Sequence, residues 1–496
     1  MGYVLAIDAG TTGIRAFALG DDGTPLGYAY REFPQYFPRP GWVEHDAEEI
    51  WSCTSAVVAE LCESVGRPAA IGITNQRETV VAWSRATGKP LAPAIVWQDR
   101  RTADRCAALV DAGHLDLVRR RTGLVLDPYF SGTKLAWLLT EGGVPADDDL
   151  AFGTVDAWLV WCLTGGAVHA TEPSNASRTM LYDIAERRWS AELCELLGVP
   201  MATLPEVRPS AGDFGTTIED TPGVGAGVPI AGILGDQQAA LLGQACLEPG
   251  MAKNTYGTGS FVLTNIGGAC PPPVDGLLTT VAWDLGASGG FAYALEGAIF
   301  VTGAAVQWLR DGLGLIDDAP AVEALAASVP DSGGIVMVPA FTGLGSPYWD
   351  PYARGAVLGI TRGSTAAHLA RATLESIAFQ TRDVVDAMAA AGGQAVSALR
   401  VDGGASANGL LLQLVADQVQ APVTRPVIAE TTALGAAYAA GLARGIWGST
   451  ADVTDAWQAD VTVEPSIDAA AADAAYGTWV RAVERSRDWE RSAPSS

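Results

Sequence analysis

The residues best suited to chemistry sit in three glycine-rich turns. The first, Asp8 to Gly13 (DAGTTG), follows the apolar stretch YVLAID. Gly10 and Gly13 let backbone N–H groups turn toward an anion, while Thr11 and Thr12 add hydroxyl donors. Asp8, at the strand end, would face phosphates and could hold Mg2+ directly or through water. The same letters also describe an ordinary hairpin turn. The second turn, Gly257 to Ser260 (GTGS), offers the same chemistry and the same alternative. Together, two such turns could clamp the β- and γ-phosphates of a nucleotide from opposite sides of a cleft. The third, VDGGASAN (401–408), suits an adenosine-contacting turn ahead of a helix. No G-x-x-x-x-G-K-[ST] occurs, nor a G-x-G-x-x-G after a strand, which excludes a P-loop and disfavours a dinucleotide enzyme. The pattern points to an ATP-dependent small-molecule kinase.

The acceptor side reads as polar and compact. ITNQRET (73–79) brings Arg77 and Glu78 to the end of an apolar strand, a place from which side chains enter clefts. There the Arg could donate to a polyol's hydroxyls and the Glu accept from them; a surface ion pair is the other reading. Asp236 follows the strand VPIAGIL (228–234) with Gln237 beside it. It is either a general base for a hydroxyl or a helix N-cap. Trp97, Tyr129 and Phe261 offer an apolar wall, or they are core. The four histidines (45, 114, 169, 368) have no nucleophile or metal-ligand spacing and read as structural.

These residues need elements to hold them. The chain opens as a meander, with strands at 3–8, 14–20 and 26–33 joined by polar turns. Helical stretches at Ala47–Glu63 and Arg101–Asp111 flank strands at 70–76 and 80–83. A strand, a Gly/Thr turn and a second strand recur at 251–265, roughly 250 residues on. That repeat implies two related α/β domains, 1–247 and 248–496, meeting near Leu247–Gly250. A long helix, His368–Ala391, the strand 398–403 and a helix Leu410–Gln420 follow.

Composition bounds the function classes. With 496 residues, 49% hydrophobic, the chain can bury more than one core. A net charge of −25 argues against a nucleic-acid partner and against an anionic membrane surface. Seven scattered cysteines without a C-x-x-C read as reduced core thiols, not as a disulfide framework or zinc site. The longest apolar run, Gly297 to Leu309, is too short to span a bilayer. No signal segment opens the chain. A cytoplasmic protein is expected.

Assembled, these segments resemble the FGGY family of carbohydrate kinases. The resemblance runs from residue 8 to about 445, through DAGTTG, REFPQYFPRPGWVEHD (31–46), GITNQRET (72–79), IVWQDRRTA (95–103) and TGLVLDPYFSGTKLAWLL (122–139). It continues through SNASRTMLYD (174–183), GDQQAALLGQ (235–244), GMAKNTYGTGSF (250–261), YALEGAIFVTGAAVQWLRD (293–311) and LRVDGGASAN (399–408). It implies two ribonuclease-H-like domains of the actin/Hsp70 type with an ATP and substrate cleft between them. It further implies phosphoryl transfer from MgATP to glycerol, giving sn-glycerol 3-phosphate, the first step of glycerol catabolism. On that resemblance glycerol would be held by Arg77, Glu78, Tyr129, Asp236 and Gln237, with Trp97 and Phe261 as the apolar wall. ATP would meet Thr11, Thr12, Gly13, Arg15, Thr258, Gly303, Gln307, Gly404 and Asn408. Asp8 would serve the metal, Asp236 would be the catalytic base, and the chain would form a homodimer or homotetramer.

Three departures stand out. The family's first turn commonly reads D-Q-G-T-T-S-S, whereas Ala9, Gly13 and Ile14 stand here, so a phosphate-binding hydroxyl is missing at Gly13. The loop PGVGAGVP (222–229) lacks the Arg that binds fructose 1,6-bisphosphate in some members. It also lacks the histidine phosphorylated in others. A pentulose or aldonate kinase of the same family is the nearest alternative. A non-catalytic, nucleotide-gated protein of the same fold is a more distant one.

Overall fold

The computed structural model describes residues 2–392 and 395–490. Its first sheet is built from β1 (Tyr3–Ala9), β2 (Gly13–Gly20), β3 (Pro25–Glu32), β4 (Ala70–Asn75) and β5 (Ile230–Gly235), in the order β5-β4-β1-β2-β3. The first three strands are antiparallel, and β4 and β5 run parallel to β1. Every residue of β4 and β5 is buried, the mark of strands covered on both faces.

The second sheet repeats the plan. It comprises β6 (Met251–Tyr256), β7 (Ser260–Gly267), β8 (Leu278–Asp284), β9 (Phe291–Ile299), β10 (Ala398–Asp402), β11 (Val423–Pro426) and β12 (Ala459–Val463), ordered β8-β9-β7-β6-β10-β11-β12. By position, β9-β7-β6-β10-β11 matches β3-β2-β1-β4-β5, antiparallel on one side of the first strand and parallel on the other. The sequence repeat is thus a repeat of topology, two ribonuclease-H-like sheets.

Helices complete the layers. In α1 (Ala47–Val65), Ile50, Val57, Val58 and Leu61 recur at helical spacing and pack beneath Leu5, Ile7, Ile71 and Ile73. Asp46 caps α1 by accepting from the Glu48 N–H. Between the sheets lie α2 (Asp236–Gly243) and, from the far end of the chain, α5 (Thr431–Ala443), which packs on β1, β4 and β5. One apolar layer joins Val4, Ala6, Phe17 and Leu234 of the first sheet, Ala433, Ala436 and Ala440 of α5, and Leu263 and Ala294 of the second. The outer face of the second sheet is covered by α3 (Ala366–Gly392) and α4 (Gly409–Val419). A smaller sheet of Glu44–His45, Ala94–Ile95, Val80–Ser84 and Leu150–Thr154 is inserted in the first half.

The elements read from sequence recur within two or three residues. The helix expected from Arg101 starts at Ala103, because the Arg101 guanidinium turns back to Asp99 and Glu44, 2.8 Å from each. Four of the seven thiols are buried as expected, whereas Cys53, Cys162 and Cys270 are only half-buried, and none is paired. His45 is fully buried, edge-on to Phe33. No helix among the described residues is long and apolar enough to cross a membrane.

The crossing of α2 and α5 tolerates no side chain. A Cβ on Gly435 would lie 1.8 Å from the Ala239 carbonyl oxygen, and one on Gly243 1.9 Å from that of Thr431. Because the obstructing atoms are backbone, the helices themselves must separate. Gly435→Ala is therefore expected to lower stability by at least ~1–3 kcal/mol, read as a reduced denaturation midpoint in urea. A midpoint equal to that of the parent would mean the two helices can part without loss.

Candidate active site

Parallel pairing places the polar residues together. Leu234 pairs with Thr74 and Gly235 with Asn75, so the chain leaves β4 and β5 at the same level. Arg77 emerges from one strand and Asp236 from the other, with Arg77 Nε 3.2 Å from Asp236 Oδ1. Asp236 is the first residue of α2, beyond the N-cap Gly235, and its Oδ1 accepts from the Gln237 N–H at 2.7 Å. Glu78 holds a left-handed φ of 62°, a conformation that costs a side-chain-bearing residue about 1–3 kcal/mol. Its carbonyl is held by Ser131 Oγ at 3.1 Å and Lys134 Nζ at 3.2 Å.

A buried ion cluster organises this corner. Glu296, in the middle of β9 on the second sheet, accepts from Arg77 Nη1 at 2.5 Å and Nη2 at 3.2 Å. Its Oε1 also accepts from Arg178 Nη2 at 2.9 Å, and Arg178 Nε donates to Glu78 Oε1 at 2.6 Å. Arg77, Glu78, Arg178 and Glu296 are each at most 2% exposed, so a surface ion pair is ruled out. Burial pushes the Glu296 carboxyl up, but Arg178 and Arg77 outweigh it and hold it well below the usual carboxylate range. The Nη donors of Arg77 are all engaged, because Gln238 Oε1 (3.2 Å) and Tyr129 Oη (3.4 Å) take the two that Glu296 leaves.

Aromatic rings surround the cluster. Trp97 meets Tyr129 edge-on with centroids 5.6 Å apart, and the Phe261 ring lies 6.0 Å from the Arg77 guanidinium carbon. Trp97, Tyr129 and Phe261 thus lie close to Arg77 or to one another. Lys253, fully buried at the centre of β6, donates to Gln237 Oε1 and, at 2.9 Å, to Thr255 Oγ1. Burial lowers its pKa to about 8, against the pull of Asp402 and Asp236. Burial likewise raises Asp236, although Arg77 and Lys253 oppose it.

The glycine turns converge on the same corner. In the first, the Gly10 N–H donates to the Gly13 carbonyl (3.0 Å), and Thr11 Oγ1 accepts from Trp97 Nε1 (2.9 Å). Asp8 lies opposite Arg15 in the sheet, and Arg15 reaches Glu430 at the start of α5, 4.0 Å away. Burial pushes the Asp8 carboxyl up to about 7, with Arg15 lowering it and Asp236 raising it further. Around the second turn, the N–H groups of Gly303 and Ala304 donate to the carbonyls of Gly257 (3.0 Å) and Thr258 (3.1 Å). Gln307 follows one turn later and is exposed. In the third, Asp402 accepts from Gln244 Nε2 (2.8 Å) and Thr431 Oγ1 (2.7 Å), and Gly404 is exposed. Asn408 caps α4 through its Oδ1 to the Leu411 N–H at 2.8 Å. Thr12 is exposed beside the first turn.

Arg178, Glu296 and Lys253 were not among the residues singled out in the sequence. A signal existed: FAYALEGAI and MAKNTY each carry one charge inside an otherwise uncharged strand, and a buried charge requires a partner. Among the described residues no three or more His, Cys, Asp or Glu side chains gather as a metal cage. The donor set suits instead an ion held by one or two carboxylates and by a ligand's phosphates, as Mg2+ is.

Two family models match the chain: the N-terminal domain of the FGGY family of carbohydrate kinases over residues 3–243, and its C-terminal domain over 252–444. The chain is 54% identical to a glycerol kinase of Dechloromonas aromatica, covering 98% of each. It is 53% identical to glycerol kinase 2 of Thermotoga maritima, covering 99% of this chain and 100% of that one. Among solved structures it superposes on Plasmodium falciparum glycerol kinase with ADP at a TM-score of 0.93 and 33% identity, covering 98% of each. Gluconate kinase from Lactobacillus acidophilus shares the fold at a TM-score of 0.88 and 19% identity, covering 98% of this chain and 97% of that one.

Removing Glu296 leaves two buried guanidiniums facing each other without their shared anion. Glu296→Ala is expected to lose about 3–5 kcal/mol of stability, with Glu296→Gln losing less because two acceptor–donor contacts survive. Urea denaturation of both variants measures this, and equal stability in all three proteins would show that the cluster is not a constraint on the fold.

Proposed function

The chain belongs to the FGGY family of carbohydrate kinases, and we propose that it phosphorylates glycerol at the expense of ATP, giving sn-glycerol 3-phosphate and ADP. The observation that carries this reading is the meeting of Arg77, Glu78 and Asp236 inside a ring of Trp97, Tyr129 and Phe261. It is supported by 54% identity over 98% of both chains to a protein named glycerol kinase. A three-carbon triol suits such a corner, with carbon faces against the rings and hydroxyls on the charges.

The proposed roles follow from the donors and acceptors. Glu78 and Asp236 accept from glycerol's hydroxyls, and Gln237, braced by Lys253, presents its amide beside them. Since the Nη donors of Arg77 are all occupied, glycerol gains a bond to Arg77 through Nε, beside Asp236, or by sharing a donor with Tyr129. Arg178 Nη1, buried with no hydrogen bond among the described residues, is a further donor in this cluster. The phosphates of ATP lie between the turns at Thr11–Gly13 and Gly257–Ser260, with Thr12, Arg15, Thr258, Gly303 and Gln307 around them. Gly404 and Asn408 line the adenosine side. Asp8 would hold Mg2+ with the phosphates and water, and the ion would neutralise charge on the transferring group. Residues 1–247 are assigned glycerol and the first turn, and residues 248–496 the second turn and adenosine. A cytoplasmic homodimer or homotetramer completes the reading.

Phosphoryl transfer of this kind rests on positioning and charge stabilisation. Asp236 takes the proton of the attacking hydroxyl late in the step. Asp236→Asn is expected to lower kcat by about 10²–10⁴ while glycerol binding changes little. A variant with near-parental kcat would remove Asp236 from the base role. Substrate class is tested by ATP turnover with glycerol, dihydroxyacetone, xylulose, ribulose and gluconate. Glycerol is expected to give the highest kcat/KM, and preference for a pentulose or for gluconate would overturn the assignment.

A further inference from the structure

The first phosphate turn lacks a side chain at Gly13, and the structure supplies both the reason and a substitute. In the β2–β3 ladder Gly13 pairs with Glu32, Ile14 with Arg31 and Arg15 with Tyr30. Asp8 pairs with Arg15 in turn, so Asp8, Arg15 and Tyr30 form one row across three strands and share a face. It is the face of Val4, Ala6 and Phe17, which point into the layer containing α5. The row lies beyond the start of α5, where Arg15 reaches Glu430, and so at the open edge of the space between the sheets.

Tyr30 leans diagonally off this row toward Gly13, at the end of the turn. A Cβ placed on Gly13 would lie 2.6 Å from Tyr30 Oη and 2.7 Å from its Cζ. It would also lie 2.6 Å from the Arg31 carbonyl oxygen, so position 13 accepts no side chain, a serine included, unless β3 moves. The Tyr30 hydroxyl stands where it crowds the first atom of any side chain at position 13. Tyr30 is 43% exposed, and its Oη makes no hydrogen bond to any described residue, so this donor stands free beside the turn. The Arg15 guanidinium carbon stands 5.7 Å from the ring centroid, where cation–π attraction restrains the ring.

We propose that Tyr30 is a nucleotide-contacting residue, its phenolic hydroxyl donating a hydrogen bond to a terminal phosphate oxygen of ATP in place of the side chain that Gly13 cannot carry. This rests on the ATP-dependent reading of the two turns. A neutral hydroxyl on a phosphate oxygen forms a charge-assisted bond, stronger than one between neutral groups. Arg15, beside the same ring, adds positive charge at the same edge.

Tyr30→Phe isolates the contact, because it keeps the ring and its stacking with Arg15 and deletes one oxygen from an exposed side chain. KM for ATP is expected to rise roughly tenfold with KM for glycerol unchanged, and the calorimetric affinity for ATP is expected to fall in parallel. Parental ATP affinity in Tyr30→Phe overturns the proposal. So does weakening in Tyr30→Ala without weakening in Tyr30→Phe, which would leave the ring as no more than a brace for Arg15. Calorimetry reads ATP directly, so the two readings fail separately. Absent glycerol-dependent turnover in the parent protein sinks the proposed reaction, whereas unchanged ATP affinity in Tyr30→Phe sinks the role of the hydroxyl.

Discussion

Burying the Glu296 carboxylate at 0% exposure requires Arg77 and Arg178 to stay in place and charged. That requirement fixes far more than one residue. Arg77 belongs to the turn after β4, and Arg178 follows the short helix Pro173–Ala176. Glu296 is opposite Leu263 on β7, three residues from the second glycine turn. One carboxylate therefore ties the acceptor corner of the first sheet to the strand that begins at the second turn. Neither guanidinium can shift without stranding a buried charge, so the corner after β4 and the strands beside the second turn are held to a common geometry.

The space for this contact comes from the small residues between the sheets. The helix α5 is apolar on every side, TTALGAAYAAGLA, and nearly all of it is buried. Its alanines and glycines let it lie close to α2 and to the first sheet at once: a Cβ on Gly72 would stand 2.1 Å from the Ala436 carbonyl oxygen. Bulkier side chains there would push the sheets apart and pull Glu296 away from its partners. The charged cluster and the small-residue layer are two parts of one condition, since the first needs a separation that the second sets.

What could be read from sequence was what depends on neighbours along the chain. The strand–turn–strand units at Tyr3–Gly20 and Met251–Gly267 show local alternation and glycine turns, and both were legible. So was the placing of Arg77 and of Asp236 at strand ends, since each follows an apolar run, though not the pairing of those two strands. The position of α5 was not, because a helix with no polar face does not announce which sheet it covers. Arg178 and Glu296 escaped for a related reason: their partners lie 100 to 219 residues away, and only the fold says which opposite charge each one meets, while Lys253 reaches Gln237 across 16 residues. Gly13 was visible as a departure, but the cause, Tyr30 folded over it from the next strand, was not.

Asp236 does not cap α2, because the helix begins at Asp236 itself and its N-cap is Gly235. It stands in the first turn of α2, where the unpaired N–H groups favour a negative charge. Its Oδ1 is fixed by the Gln237 N–H and by Arg77, whereas Oδ2 makes no hydrogen bond to any described residue. A carboxylate anchored through one oxygen presents the other in a defined direction, which is what proton abstraction from a bound hydroxyl demands. Burial meanwhile raises its proton affinity above that of a solvated aspartate, against the opposing pull of Arg77 and Lys253. The helix start therefore does more than end a strand. It orients a carboxylate that a surface position would leave less basic and more mobile.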